Sequence, residues 1–209
     1  DGELGNSKEL PGDYRYVDAN GDGIIDDNDR MPLFWSGTPL IHYGFNLEAS
    51  WKNFDIYALL QGAGMYTVQF SEVYAEVLWS KGANTPAYFY DRWRKEDPYN
   101  PNSKWVAGKW PATRLIQDTG AMYKESNIWR RDASYLRLKT LELGYTLPDS
   151  ILRKSGISNI RFYINGYNLL TFCDSFVKAF DPEKVEGSYS AGMNYPLTKS
   201  FNIGFTANF

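Results

Sequence analysis

The chain has 209 residues, enough for one domain with a sizeable core, and a net charge of −3 with an isoelectric point near 5.3. That balance excludes a basic nucleic-acid-binding surface. The single Cys173 excludes an internal disulfide framework, and no apolar run reaches the ~20 residues of a membrane-spanning helix. Aromatic residues make up 17% of the chain, a content shared by sugar-binding surfaces, protein interfaces and membrane girdles. Mean hydropathy is −0.47. A β-barrel remains compatible with it, because only alternate residues of each strand meet lipid. The chain opens at Asp1 without an initiator Met, which reads as a processed or partial product.

The first chemical signal is Asp18-Ala-Asn-Gly-Asp-Gly-Ile-Ile-Asp-Asp-Asn-Asp29, the spacing of an EF-hand calcium loop. Oxygen donors fall at positions one, three and five (Asp18, Asn20, Asp22), and Gly23 permits the sharp turn. Ile24 offers its carbonyl, Asp26 stands at position nine, and the last position holds Asp29 in place of the usual Glu. Hard oxygen ligands at this spacing suit Ca2+. The competing reading is an acidic Asn/Gly turn without an ion. The flanks, 11–17 and 30–33, read as extended or loop, so the motif would staple a loop outside an EF-hand fold.

Five strands follow by period-two alternation. Tyr43–Trp51 carries Tyr43, Phe45, Leu47, Ala49 and Trp51 on one face. Phe54–Gln61 carries Phe54, Ile56, Ala58 and Leu60. Only Lys52-Asn53 separates them, a tight hairpin in which Asn tolerates positive φ. Tyr135–Thr146 holds Leu136 and Leu138 in one phase and Leu141, Leu143 and Tyr145 in the other, which predicts either a bulge near Lys139-Thr140 or a strand end that has left the membrane. Asn159–Asn168 turns Ile160, Phe162 and Ile164 outward and Arg161, Tyr163 and Asn165 inward. Ser200–Phe209 alternates Phe201, Ile203, Phe205, Ala207 and Phe209 with small or polar residues.

The connections are short, long, medium and long in turn. Residues 147–158 are expected to hold a helical turn, and a short helix is expected over Ser71–Trp79. Alternation of short turns with long loops is the rhythm of an outer-membrane barrel. A soluble sandwich shows the same strand alternation without a reason to segregate its loops. Five strands do not close a barrel, whose smallest examples have about eight. The expected fold is therefore all-β: antiparallel strands forming the C-terminal part of a larger transmembrane barrel. Residues 1–38 read as an extracellular loop with the calcium motif, and 39–209 as the strands and their loops.

The stretch 79–130 interleaves aromatic and charged residues. Trp79, Tyr88, Trp93, Trp105 and Trp110 are candidate contacts for a substrate or a lid; the alternative is that a long loop uses aromatics for its own small core. For catalysis the chain is poor. His42 is the only histidine and has no triad companions. Carboxylate pairs drawn from 25 acidic residues have no specificity. No enzyme activity is expected.

The collinear runs taken together are specific: Gly12-Asp-Tyr-Arg-Tyr-Val-Asp-Ala-Asn-Gly-Asp-Gly-Ile-Ile25, Asp29-Arg30, Pro39, Tyr43–Leu47, Tyr135–Pro148, Ile160–Phe172, Asp181-Pro-Glu183, Tyr195-Pro196 and Lys199–Phe205. In these the chain resembles the C-terminal part of SusC/RagA-type TonB-dependent transporters of Bacteroidetes. The resemblance implies a multi-pass outer-membrane barrel of about 22 strands, with a plug domain and TonB box upstream. It implies a SusD-like surface lipoprotein partner and energised import of oligosaccharides or peptides. Phe209 would be the insertion signal read by the barrel assembly machinery. Two other readings compete: a secreted, calcium-stapled β-sandwich that binds glycans through its Trp-rich loop, and a glycosidase.

Overall fold

A computed structural model describes residues 11–70, 84–113, 126–153, 156–183 and 194–209. The long strands are β1 (Ile41–Trp51), β2 (Phe54–Gly64), β7 (Tyr135–Thr146), β8 (Asn159–Phe172) and β9 (Ser200–Asn208). The short ones are β3 (Thr67–Gln69), β4 (Arg94–Lys95), β5 (Trp105–Val106) and β6 (Arg130–Asp132). Two one-turn helices, α1 (Asp149–Leu152) and α2 (Ser175–Lys178), follow β7 and β8.

The chain forms two compact units. One comprises Asp1–Phe34 with Gln69–Arg130, the other Trp35–Val68 with Arg131–Phe209. In the first unit the N-terminal stretch packs with the long loop. The Ala112 N–H donates to the Gly12 carbonyl at 3.0 Å. Gly12 has φ +94°, and a Cβ there would lie 2.6 Å from that of Trp93, so only glycine fits this close approach.

The second unit is built on one antiparallel sheet in the order β1-β2-β7-β8-β9. The alternation that predicts each strand also sets its register. Trp51, Phe54, Tyr145, Phe162 and Phe205 share one row, and Ala49, Ile56, Leu143, Ile164 and Ile203 share the next. These rows lie on one face and stay exposed, Ile203 to 85% and Phe205 to 68%. A contiguous apolar face of this size demands a non-aqueous partner. β1 and β9 are the outermost strands of the sheet.

The expected bulge is present: Leu60 pairs with Leu138 while Leu59 pairs with Thr140, leaving Lys139 as the extra residue. It keeps both leucine sets of β7 on the outer face despite their opposite phases. β8 runs past its predicted end because a second irregularity, with Asn168 at φ +55°, absorbs the break in alternation. β2 also runs further, to Gly64. Gly62 reads as a breaker in sequence, but the Tyr43 ring crosses directly over it to donate its hydroxyl to the Tyr135 carbonyl at 2.7 Å. In the β1–β2 hairpin, Lys52 takes the positive φ of 55°, where the expectation assigned that role to Asn53. The predicted helical turn in 147–158 is α1. The helix expected over 71–79 lies outside the described residues.

Candidate functional site

The face of the sheet opposite the apolar rows carries a polar ladder across four strands. Arg161 on β8 lies one row from Asp55 and leans across the sheet to it, with Nε donating to Oδ1 at 3.0 Å and Nη2 to Oδ2 at 2.5 Å. Nη2 also donates to Glu142 Oε1 at 2.7 Å. The ladder continues from Asn165 Nδ2 to Glu142 Oε2 at 3.1 Å and from Asn202 Nδ2 to Asn165 Oδ1 at 2.9 Å. Asn46 meets the Tyr57 hydroxyl at 3.5 Å on the same face. The bidentate pairing of a planar guanidinium with two carboxylates holds three charges in fixed geometry.

Two glycines make room for this. Asp55, Gly144, Tyr163 and Gly204 form one cross-strand row. A Cβ on Gly144 would collide with Arg161 Nη2 and both Asp55 oxygens, and one on Gly204 would lie 2.6 Å from the Tyr163 ring. Arg161 and Asn165 are visible from the alternation. Asp55 and Glu142 are missed as their partners, because strand pairing brings residue 55 to residue 161 and sequence spacing does not.

The acidic loop is closed by its own backbone. Asp18 accepts from the Gly21 and Gly23 N–H groups at 2.6 and 2.8 Å, Asn20 from Asp22 at 2.9 Å, and Asp22 from Ile24 at 2.8 Å. Asp26 caps a 3-10 turn over Asp27–Asp29. Asp29 joins the two ends, accepting from Ala19 and Asp26, each at 2.8 Å. These N–H groups hold its carboxyl below the usual carboxylate range, the Asp26 bond foremost. Among the described residues no three His, Cys, Asp or Glu side chains are already gathered for a metal.

The aromatic loop divides its candidates between core and surface. Trp110 is 5% exposed and stacks on Trp129 at 5.4 Å between ring centroids; Tyr88 lies against it at 4.8 Å. Phe89 and Trp129 are fully enclosed. Trp110 is therefore a packing residue of this unit. Trp93 is half-buried at Gly12, and Trp105 lies at the surface with Lys95 Nζ 4.8 Å from its ring centroid. Trp79 lies outside the described residues. Phe209 ends the chain 90% exposed.

No family model matches the chain. Two curated proteins of Formosa agariphila are similar to it: TonB-dependent receptor P3, 32% identical over 95% of this chain, and TonB-dependent receptor P26, 30% identical over 96%. The RagAB peptide importer in its closed-closed state superposes with a TM-score of 0.64 at 26% identity over 94% of this chain. Its open-open state gives 0.60 at 27% identity over 84%. This chain belongs to the SusC/RagA-type TonB-dependent transporters. It spans about a fifth of the length of those relatives, 19% and 20% of the two receptors and 20% of the closed-closed importer chain.

Membership explains the two faces of the sheet. The exposed aromatic and aliphatic rows are the lipid face of an outer-membrane β-barrel, and the Arg161 ladder is on the lumenal face. The soluble-sandwich reading gives way on this ground, since a sandwich buries the face that is exposed here. Cys173, just past β8, is half-buried, and burial pushes its thiol above the ordinary range, opposite to the direction that activates a nucleophile.

Proposed function

We propose that this chain is one wall of an outer-membrane nutrient importer, energised through TonB and working without turnover chemistry. The observation that carries the reading is the two-faced sheet: a continuous apolar exterior backed by a charged, hydrogen-bonded interior, in a chain similar to TonB-dependent receptors. The strands wall the lumen, with Asn46, Glu48, Arg161 and Asn165 toward it. Plug, TonB contact and the remaining strands belong to the rest of the importer. A SusD-like lipoprotein closes it from outside, and the cargo is an oligosaccharide or a peptide; the superposed neighbours are named peptide importers. Half-exposed Tyr88 and Trp93 and surface Trp105 are the aromatic side chains offered to cargo or lid, and Phe209 is the insertion signal.

The test is purification of the native complex in detergent, followed by uptake assays. A species several times the 24.0 kDa of this chain, bound to a lipoprotein and supporting growth on peptides or oligosaccharides, is the expected result. A 24.0 kDa species that stays soluble without detergent would overturn the reading.

The 18–29 loop supports a Ca2+ staple as part of this proposal. Its donors are all oxygen, in the order Asp18, Asn20, Asp22, the Ile24 carbonyl, Asp26 and Asp29. Each carboxylate oxygen that accepts an N–H retains a second lone pair for a cation. Titration with Ca2+ is expected to give one site per chain that Asp18→Ala abolishes; unchanged heats in that variant would remove calcium from the proposal.

A further inference from the structure

The lumenal face carries a second charged cluster, separate from the Arg161 ladder. Arg137 on β7 is 3% exposed and Asp181 is 4% exposed. Arg137 Nη2 donates to Asp181 Oδ1 at 2.5 Å, Nη1 to Glu183 Oε2 at 2.8 Å, and Nε to Thr171 Oγ1 at 2.9 Å. Lys139, the bulge residue, reaches both oxygens of Glu183 at 2.7 and 2.8 Å. Two cations of the wall thus meet two anions of the loop that follows β8. Arg137 and Lys139 share a face by ordinary alternation, and the bulge at Lys139 resets the phase only of the residues that follow.

The same short segment is tied down elsewhere. Asp181 has φ +66°, and its second oxygen accepts the Leu197 N–H at 2.7 Å, so it fastens both limbs of the loop. The buried Tyr66 hydroxyl donates to the Pro182 carbonyl at 2.8 Å. An external loop needs no such bonds to connect two strands. A surface ion pair is weak, but a desolvated one is lost only with a large penalty for the charge left behind. The arrangement is that of a fixed part of the wall.

We propose that Asp181-Pro182-Glu183 is a lumenal strap: the Arg137–Lys139 clamp holds these three residues against the inner wall, and so narrows the passage open to cargo beside them. The effect on passage rests on the importer reading; the clamp itself does not.

The test uses the full-length transporter in the outer membrane, with Cys173→Ser as background and Pro182→Cys as a buried reporter. Asp181→Asn with Glu183→Gln is expected to raise labelling of the reporter by a membrane-impermeant maleimide on the order of tenfold or more. Heat-modifiable gel mobility should show the barrel still assembled. The opened variant should also admit a bulky glycopeptide antibiotic that the parent excludes. Unchanged labelling in an assembled barrel would overturn the strap. Raised labelling without altered passage would overturn its role in transport. Should the double variant fail to assemble, Glu183→Gln alone decides the same question: it should raise labelling, while Glu183→Asp, which keeps a carboxylate facing Arg137 and Lys139, should hold labelling near the parent level. A parent that imports nothing would refute the importer reading and leave the labelling result standing.

Discussion

Asp29 illustrates how one carboxylate organises a loop. Three backbone N–H groups from both ends of the segment converge on it, and they favour its ionised form. Its folded pKa is depressed, so its contribution to loop order is present above the ordinary carboxylate range and is lost as pH falls through the lowered value. Hydrogen exchange over 18–29 should therefore stay slow at pH 6 and accelerate only below that ordinary range. Asp29→Asn should exchange fast at every pH; protection equal to the parent would show that the turns alone hold the loop. Arg161 presents the opposite case, a charge whose partners come from distant strands. Its side chain and that of Asp55 are 27% and 31% exposed, so solvent screens the pair. Asp55→Asn is expected to cost about 1 kcal/mol, read as a lowered urea midpoint of the assembled barrel.

Among the elements, β7 shows how a strand carries two phases. A single inserted residue, Lys139, reconciles Leu136 and Leu138 with Leu141 and Leu143. Deleting Lys139 would bring Leu136, Leu138, Leu141 and Leu143 into one strict alternation with both pairs still outward, so an assembled barrel is the expected outcome on a heat-modifiability gel; failure to assemble would show that the bulge itself is required. The glycines of the sheet act through the side chains that cross them. Gly144→Val would force apart Arg161 and Asp55, and overpacking of this kind costs roughly 1–3 kcal/mol. Unfolding of that variant in urea should show a larger loss than Asp55→Asn; an equal or smaller loss would mean the row relaxes around the added carbons. In the loop unit, Trp129 is 2% exposed within the aromatic stack. Trp129→Ala should cost about 3–5 kcal/mol of that unit, seen as proteolytic cleavage within 84–113 while the strands stay protected.

At the scale of the whole molecule, the strands create a surface that has no place in water and an interior that has no place in lipid. Both are satisfied in a barrel wall, where the backbone groups of β1 and β9 find neighbouring strands. The chain spans 19% of one receptor relative, and its sheet ends in open edges at β1 and β9. Expressed alone, it should aggregate or require detergent; a monodisperse aqueous monomer would contradict the barrel reading.

Period-two alternation depends only on neighbouring residues, so the amino-acid order by itself determined the five strands, their outward faces, the short β1–β2 turn and the bulge of β7. The oxygen spacing of 18–29 was legible for the same local reason. What the order left open were contacts made at long separation. Pairing of β2 with β7 and β7 with β8 joins Asp55 to Arg161, and folding of the loop after β8 brings Asp181 and Glu183 to Arg137 and Lys139. Trp110 illustrates the limit from the other side: its composition suits a binding surface or a core equally, and packing against Trp129 placed it in the core. Side-chain chemistry travels with the sequence, but burial and partnership arise only when distant segments meet, and those the tertiary structure decided.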